Sequence, residues 1–487
     1  MGELMGRLRL SGLKQERIDK LTTLREKGID PYPARVSRTH TIAQALNLPL
    51  NEAGVVAGRV MAIRSFGKTC FMNIKDGSGK IQLHFRGDNI GEGYGLLSAI
   101  DIGDFISAKG KLFNTKTGEK TLAVEEFSFI SKSLSPLPEK WHGLSDIEKR
   151  YRQRYLDLIS NPRVKEIFEI RTKVISGIRR FLDGKGFLEV ETTTLLPVAS
   201  GAAATPFSTY YQALGRNFYL RIALELYLKR LIIGGWDKVY EIGKVFRNEG
   251  ISLKHNPEFT LLESYEAYAD YQDVAGMVEE MIPSVCEHAL GTTKIDYGGS
   301  VIDLSPPWRR LTLKEAIHNK CGIDIGEYPD ADSLRRVIMS KLSPSDWQIW
   351  EEEVSWGKLT DRLLSTYVEP CLIQPTFILD YPVDVSPLAK RKREDPKLTE
   401  RFEVFIGGME IANAFSELND PLDQRERFSQ ALHDEEEIPD EDFMEALEYG
   451  MPPAGGLGIG IDRLVMLFTN QTSIREVILF PQLREKD

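Results

Sequence analysis

The chain has 487 residues, 42% hydrophobic and 28% charged, with a net charge of −10. That speaks for two or three soluble globular domains and against a disordered chain; no apolar run reaches membrane-spanning length. Four scattered cysteines without a CxxC speak against a zinc or disulfide framework and fit a reducing cytoplasm, and the opening MGELMGRLRLSGLKQERIDK lacks a signal-peptide core.

Residues 1–30 predict a helix, with Leu13, Ile18, Leu21 and Leu24 at helical spacing and Gly28 and Pro31 to close it. From Val55 to Ser131 the texture changes to short alternating strands, among them TCFMNIKD, GKIQLHFR and KTLAVEEFSFIS. Five such strands with Gly and Asp turns predict a small barrel of the OB type. SLSPLPEKWHGL, with two prolines and no periodicity, reads as a linker. From about Asp146 the pattern mixes helices and strands. An amphipathic helix is expected over 164–183, strands near 217–222, 238–247 and 258–268, and a helix over about 272–290. The section 309–365 reads as mostly helical, strands return at 375–380 and 401–417, and the acidic run DEEEIPDED reads as a solvated loop and helix start. Strands without regular βαβ alternation predict an α+β domain, an antiparallel sheet flanked by helices. There is no P-loop, and GLGIGIDR is not a dinucleotide loop, because its third small residue is replaced by Asp462.

Three stretches carry chemistry. In FRNEGISLKHNPEF, Arg247 and Glu249 share one strand face, and so do Phe259, Leu261, Glu263 and Tyr265 after the loop. A guanidinium there can clamp a phosphate with forked hydrogen bonds, an aromatic can stack on a flat ring, and His255 can add a donor. The ordinary alternative is a salt bridge from Arg247 to Glu249 or Glu258. In RFEVFIGGMEIANAFSELND, Gly407-Gly408 is a two-residue hairpin turn that sets Glu403 opposite Ala412 and diagonal to Glu410. Two carboxylates that close call for a proton or a cation between them, and Mg²⁺ on a polyphosphate is the natural one. Asn413, Phe415 and Glu417 have the opposite parity from Glu410, so a shared site requires a bulge near Ile411–Ala412. In GGLGIGIDRL the glycines allow close approach and Arg463 offers a second phosphate clamp; a packed strand–helix junction is the alternative.

Together these stretches resemble the signature motifs of the class II aminoacyl-tRNA synthetases. The whole chain resembles the bacterial lysyl-tRNA synthetases, through GRVMAIRSFGK, RYRQRYLDLI, LRIALELYLKRL, FRNEGISLKHNPEFT, PVDVSPLAKR, NAFSELND and GLGIGIDRLVMLF in order. The resemblance implies a helical extension over 1–50, an OB-fold anticodon-binding domain over 51–133, a linker over 134–150 and a class II catalytic domain over 151–487. It implies a homodimer acting on ATP, lysine and tRNA-Lys with Mg²⁺. It implies ATP contacts from Arg247, Glu249, His255, Asn256, Phe259, Glu403, Glu410 and Arg463, with Arg247 and Arg463 catalytic and Glu403 and Glu410 on the metal. Lysine would meet Gly201, Glu225, Glu263, Tyr265, Asn413, Phe415 and Glu417. Phe71, Gln82 and Glu126 match the anticodon-reading positions. Relatives that place lysine on a protein resemble the catalytic domain alone, so the barrel speaks against that acceptor; a synthetase derivative that binds tRNA without catalysis is the other alternative. The chain departs from the family pattern at Thr193 and Leu224, where a proline is usual, at Thr205, where a base is usual, and at Tyr210 and Tyr211 in place of a histidine pair.

Overall fold

The computed structural model describes residues 2–138, 144–198, 201, 204–342, 350, 355–431 and 440–484. Parts of two predicted segments, 139–143 of the linker and 434–439 of the acidic run, lie outside the described residues. The chain divides into two compact units, 1–143 and 144–487. None of the described helices is long and apolar enough to cross a membrane.

In the first unit the helix Gly2–Glu26 stops just before Gly28, whose φ of 72° an L side chain resists. It buries Leu21 and Leu24, while Leu13 remains exposed. Strands β1 (Ala53–Phe66), β2 (Thr69–Lys75), β3 (Lys80–Arg86), β4 (Phe105–Asn114) and β5 (Lys120–Ser131) close into a barrel in the order β1-β2-β3-β5-β4. Alternation sends Met72, Ile74, Ile81, Leu83, Leu122 and Val124 inward. Phe71 and Gln82 therefore face outward. A bulge at Glu125, between the pairs Lys109↔Glu126 and Gly110↔Val124, lets Glu126 face outward too.

In the second unit the remaining strands are β6 (Leu188–Glu189), β7 (Leu195–Leu196), β8 (Ser208–Tyr211), β9 (Arg216–Leu220), β10 (Lys238–Phe246), β11 (Glu258–Ala267), β12 (Lys294–Tyr297), β13 (Ser300–Asp303), β14 (Arg309–Thr312), β15 (Thr376–Leu379), β16 (Arg401–Ile406), β17 (Met409–Ser416) and β18 (Ala454–Gly460). Eight of them form one sheet in the order β14-β15-β16-β17-β18-β11-β10-β6. Its six central strands are antiparallel as expected, but β14 and β6 join the two edges in parallel, so the sheet is mixed. One face is apolar: Tyr240, Leu262, Ala412, Ala414, Leu457 and Ile459 pack against Val174, Ile178 and Leu182 of helix Pro162–Gly184 and Val274, Val278 and Ile282 of helix Tyr271–Leu290. The opposite face is left for polar groups.

Candidate active site

That opposite face is a trough floored by glycine. β18 lies between β11 and β17, and its rungs read Glu263↔Gly458↔Asn413 and Tyr265↔Gly456↔Phe415. A side chain at Gly456 would meet Glu417 Oε1 at 1.9 Å and Tyr265 Cε1 at 2.7 Å, so only glycine leaves room for both. The trough opens into a cavity of about 510 Å³, within the ordinary range for small-ligand sites. Gly201, Glu225, Arg247, Glu249, His255, Asn256, Phe259, Glu263, Tyr265, Glu410, Asn413, Phe415 and Arg463 all line it.

The hairpin register differs from the expected one. Glu403 stands opposite Asn413, not Ala412, because Ile411 is an extra residue between the pairs Val404↔Ala412 and Phe405↔Glu410. This is the bulge that a shared site required. It turns both Ile411 and Ala412 into the core, and Glu410 comes to the same face as Asn413 and Phe415.

At one end of the cavity stand cations. β10 and β11 pair from Lys238↔Glu266 to Phe246↔Glu258, and the loop between them is folded on itself, with Arg247 N donating to Pro257 O at 2.9 Å. Arg247 makes no salt bridge among the described residues. Its Nε donates to Ile222 O at 3.2 Å and its guanidinium lies 5.3 Å from the Phe259 ring centre. Glu258 pairs with Lys244 instead. Lys254 donates to Gly408 O and Glu369 Oε1, both at 2.9 Å, tying the loop to the hairpin turn. Arg463 donates to the Glu410 carbonyl at 3.0 Å and to its Oε2 at 2.9 Å. Its other nitrogen is 3.3 Å from His255 Nε2, and His255 Nδ1 is 2.8 Å from Ser252 Oγ. A guanidinium only donates, so Nε2 is the accepting nitrogen here and His255 braces Arg463. Burial and the Arg463 charge both lower the His255 pKa, in keeping with a neutral ring. Asn256 is buried and its Oδ1 has no hydrogen-bond partner among the described residues.

At the other end stand carboxylates. Glu225, Glu263 and Glu417 are all buried. Burial, reinforced by the Glu225 charge, pushes the Glu263 carboxyl up to about 8. Tyr265 donates to Glu263 Oε2 at 3.1 Å, and burial beside three carboxylates holds its phenol far from ionisation. The backbone N–H of Leu224 donates to Glu263 Oε1 at 3.2 Å. The proline usual at this position has no N–H, so the departure at Leu224 adds a donor to the pocket. At Thr193, another departure from proline, the hydroxyl donates to Leu195 O at 3.0 Å. Thr205 O accepts from Asn248 N at 2.7 Å, so that segment touches the arginine loop. Tyr210 and Tyr211 are exposed on β8.

Glu403 is not among the residues lining the cavity. It is buried on the same sheet face, accepting from Tyr381 at 2.9 Å and from Arg401 at 2.6 Å. Burial pushes its carboxyl up to about 8, with the Arg401 charge opposing and the Glu410 charge adding to the rise. Among the described residues no group of three or more His, Cys, Asp or Glu is placed to hold a metal. Two carboxylates with hard oxygen donors fit a divalent cation that takes its remaining ligands from elsewhere.

Three contributors were not singled out from the motifs. Arg401 donates to Asn413 Oδ1 at 3.1 Å and joins the two hairpin strands. Asp462, beside Arg463, accepts from Thr260 N at 2.7 Å and Arg171 Nη1 at 2.6 Å and so fixes the strand–helix junction. Lys229 is buried among the carboxylates; its one readable signal was its place four residues after Glu225 in a helix segment rich in leucine and isoleucine.

In the barrel, Phe71 stacks on His84 with ring centres 4.4 Å apart. Gln82 donates to Glu119 Oε2 and accepts from Thr121 Oγ1, both at 3.0 Å. Glu126 is exposed. All three residues are on the outer surface.

Against known proteins, residues 146–484 match the family described as tRNA synthetases class II (D, K and N), and residues 55–130 match the OB-fold nucleic acid binding domain. A lysine–tRNA ligase from Pelotomaculum thermopropionicum is 54% identical over 98% of this chain and 96% of its own length. Lysine–tRNA ligases from Dehalococcoides mccartyi (98% of each chain) and Moorella thermoacetica (97% of each chain) are each 53% identical.

Proposed function

This chain belongs to the class II tRNA synthetases of the aspartate, lysine and asparagine group, and we propose that within that family it works as a lysine–tRNA ligase. The observation that carries the reading is one cavity lined by Arg247 and Arg463 at one end and by Glu225 and Glu263 at the other, with Glu417 buried close enough to add its charge to theirs. Lysine brings a carboxylate and two ammonium groups; ATP brings a polyphosphate and a flat base.

The lysine carboxylate attacks the α-phosphorus, the bond to the β-phosphate oxygen breaks, and pyrophosphate leaves. Both reactants are anionic, so fixed cations offset their repulsion and the charge of the transition state. Arg247 is placed to hold the α-phosphate and Arg463 the outer phosphates, with His255 beside it. Phe259 offers its face to adenine, and Glu249 and Asn256 offer acceptors around it. No protein nucleophile is required, and positioning supplies much of the rate. In the second step a terminal ribose hydroxyl of tRNA-Lys attacks the lysyl-adenylate carbonyl and AMP leaves.

Glu225, Glu263, Tyr265 and Glu417 would receive the ammonium groups, with Asn413 and Phe415 as walls and Gly201 near the α-amino end. An uncharged competitor leaves those carboxylates buried and unpaired, which is costly. Glu403 and Glu410 would hold Mg²⁺, whose chemistry there is to neutralise phosphate charge. On the barrel, Phe71 would stack on an anticodon base while Gln82 and Glu126 read base edges. Leu188, Leu195, Tyr210, Tyr211 and Leu214 are exposed, and exposed large apolar side chains are suited to a second copy, in keeping with a homodimer. We place the enzyme in the cytoplasm, where its free thiols stay reduced, and divide it at 50, 133 and 150 into extension, barrel, linker and catalytic domain.

The test is ATP–pyrophosphate exchange without tRNA across all twenty amino acids. Strong exchange with lysine alone is expected. No exchange, or exchange driven by another amino acid, overturns the reading.

A further inference from the structure

The carboxylate end of the cavity holds a cation that the reaction above does not use. Lys229 sits one helical turn beyond Glu225 in helix Glu225–Ile233 and is fully buried. Its ammonium donates to Glu225 Oε1 at 2.6 Å and pairs with Glu417, which follows β17. It also lies 5.6 Å from the centre of the Phe415 ring, the wall of the same pocket. Among the described residues, Glu417 Oε1 is buried without a hydrogen-bond partner, and Oε2 meets the Lys229 ammonium as an ion pair. A helix that needed only packing at this position would be as well served by leucine or methionine, because burying an ammonium is costly unless its partners repay it.

Resting on the lysine–tRNA ligase reading, we propose that Lys229 is a specificity-determining positioning residue, a built-in ammonium that holds Glu225 and Glu417 aimed for the substrate's own ammonium groups. Three carboxylates crowd this end, and Lys229 pairs with two of them, Glu225 and Glu417. An amino acid without a side-chain cation leaves this carboxylate cluster buried without the partner it is built to receive.

The groups facing Lys229 explain why it is needed. Glu225 lies on its own helix, Glu417 and Phe415 come from the β17 end, and Glu263 and Tyr265 stand behind them on β11. Burial raises the Glu417 carboxyl, Lys229 works against that rise, and the Glu225 and Glu263 charges add to it. Burial pulls Lys229 down, but the Glu225 and Glu417 charges outweigh it and hold the ammonium protonated. Without Lys229 none of these groups opposes the rise of the Glu417 carboxyl, and Glu417 becomes a poorer partner for an ammonium.

The experiment uses the full chain with Lys229→Met and, separately, Lys229→Gln, which keeps a hydrogen-bond donor for Glu225 without the charge. Pyrophosphate exchange is measured from pH 6.5 to 8.5, with cooperative thermal melting as the check of folding. In either folded variant the lysine KM is expected to rise on the order of 100-fold at pH 7, while the KM for ATP changes by no more than about threefold. The lysine KM of the variants should then fall with rising pH more steeply than that of the unaltered enzyme, as Glu417 regains its charge. A folded variant with unchanged lysine KM, or one that loses kcat alone, overturns the proposal. So does failure of both variants to fold, which would make Lys229 a residue of the fold. If the unaltered chain shows no lysine-dependent exchange, the ligase reading fails instead, and the two failures are told apart.

Discussion

The two ends of the cavity solve opposite electrostatic problems. At the arginine end, Arg247 is held by the backbone carbonyl of Ile222, and Arg463 by the carbonyl and the half-exposed carboxylate of Glu410. A carbonyl orients a guanidinium without cancelling its charge, so Arg247 remains available to a phosphate. At the carboxylate end, Glu263 and Glu417 are deeply buried, and the protein supplies a partner charge of its own in Lys229. Guanidinium stays charged under almost any burial, whereas a carboxyl shifts its pKa and goes neutral. An arginine end can therefore be left open, and a carboxylate end must be partly filled.

The strongest way to break this contrast is Arg247→Ala. Exchange should fall by about 10³-fold in kcat/KM, with tRNA binding measured by filter retention largely intact. Equal loss of both would show that Arg247 is a structural residue. Next in size is Glu263→Gln, which should raise the lysine KM by roughly 100-fold and leave the ATP KM within about threefold; parallel changes in both constants would mean that the ends are not separate. Gly456→Ala places a methyl against Glu417 Oε1 and Tyr265. It should raise the lysine KM about tenfold through displaced side chains, again with little effect on ATP.

The smallest effect is on stability. Glu263 and Glu403 titrate near 8 in the folded protein against an ordinary 4.5. A carboxyl whose folded pKa is raised holds its proton more tightly when folded. The stability it contributes is fully present below pH 4.5 and is lost as pH rises through about 8. The melting temperature of the ligand-free enzyme should therefore fall by a few degrees over that window. Glu263→Gln should flatten part of the fall, and an unchanged profile in that variant would show that Glu263 is not the group responsible.

Much of this was legible from the residues. Alternation in TLLESYEA put Glu263 and Tyr265 on one face, and Gly407-Gly408 announced the hairpin. Parity alone required the bulge, because Glu410 and Asn413 could not otherwise share a site. Its effect on pairing was not legible: Glu403 met Asn413 once Ile411 had slipped out of register. Nor was the role of His255, which depends on Arg463 more than 200 residues away. Nor was the place of Lys229 legible, because it depends on Glu417, which follows a distant strand.

By itself the sequence determined the elements, the parity of each strand and the kinds of chemistry on offer. These are set by local propensity and by a two-residue period that needs no partner. Only the tertiary structure decided which side chains share the trough, which carboxylates remain unmatched and which cation is internal. Those depend on strand order, on one bulge and on burial, and burial is what turns the same glutamate from a solvated charge into a group that must be paired.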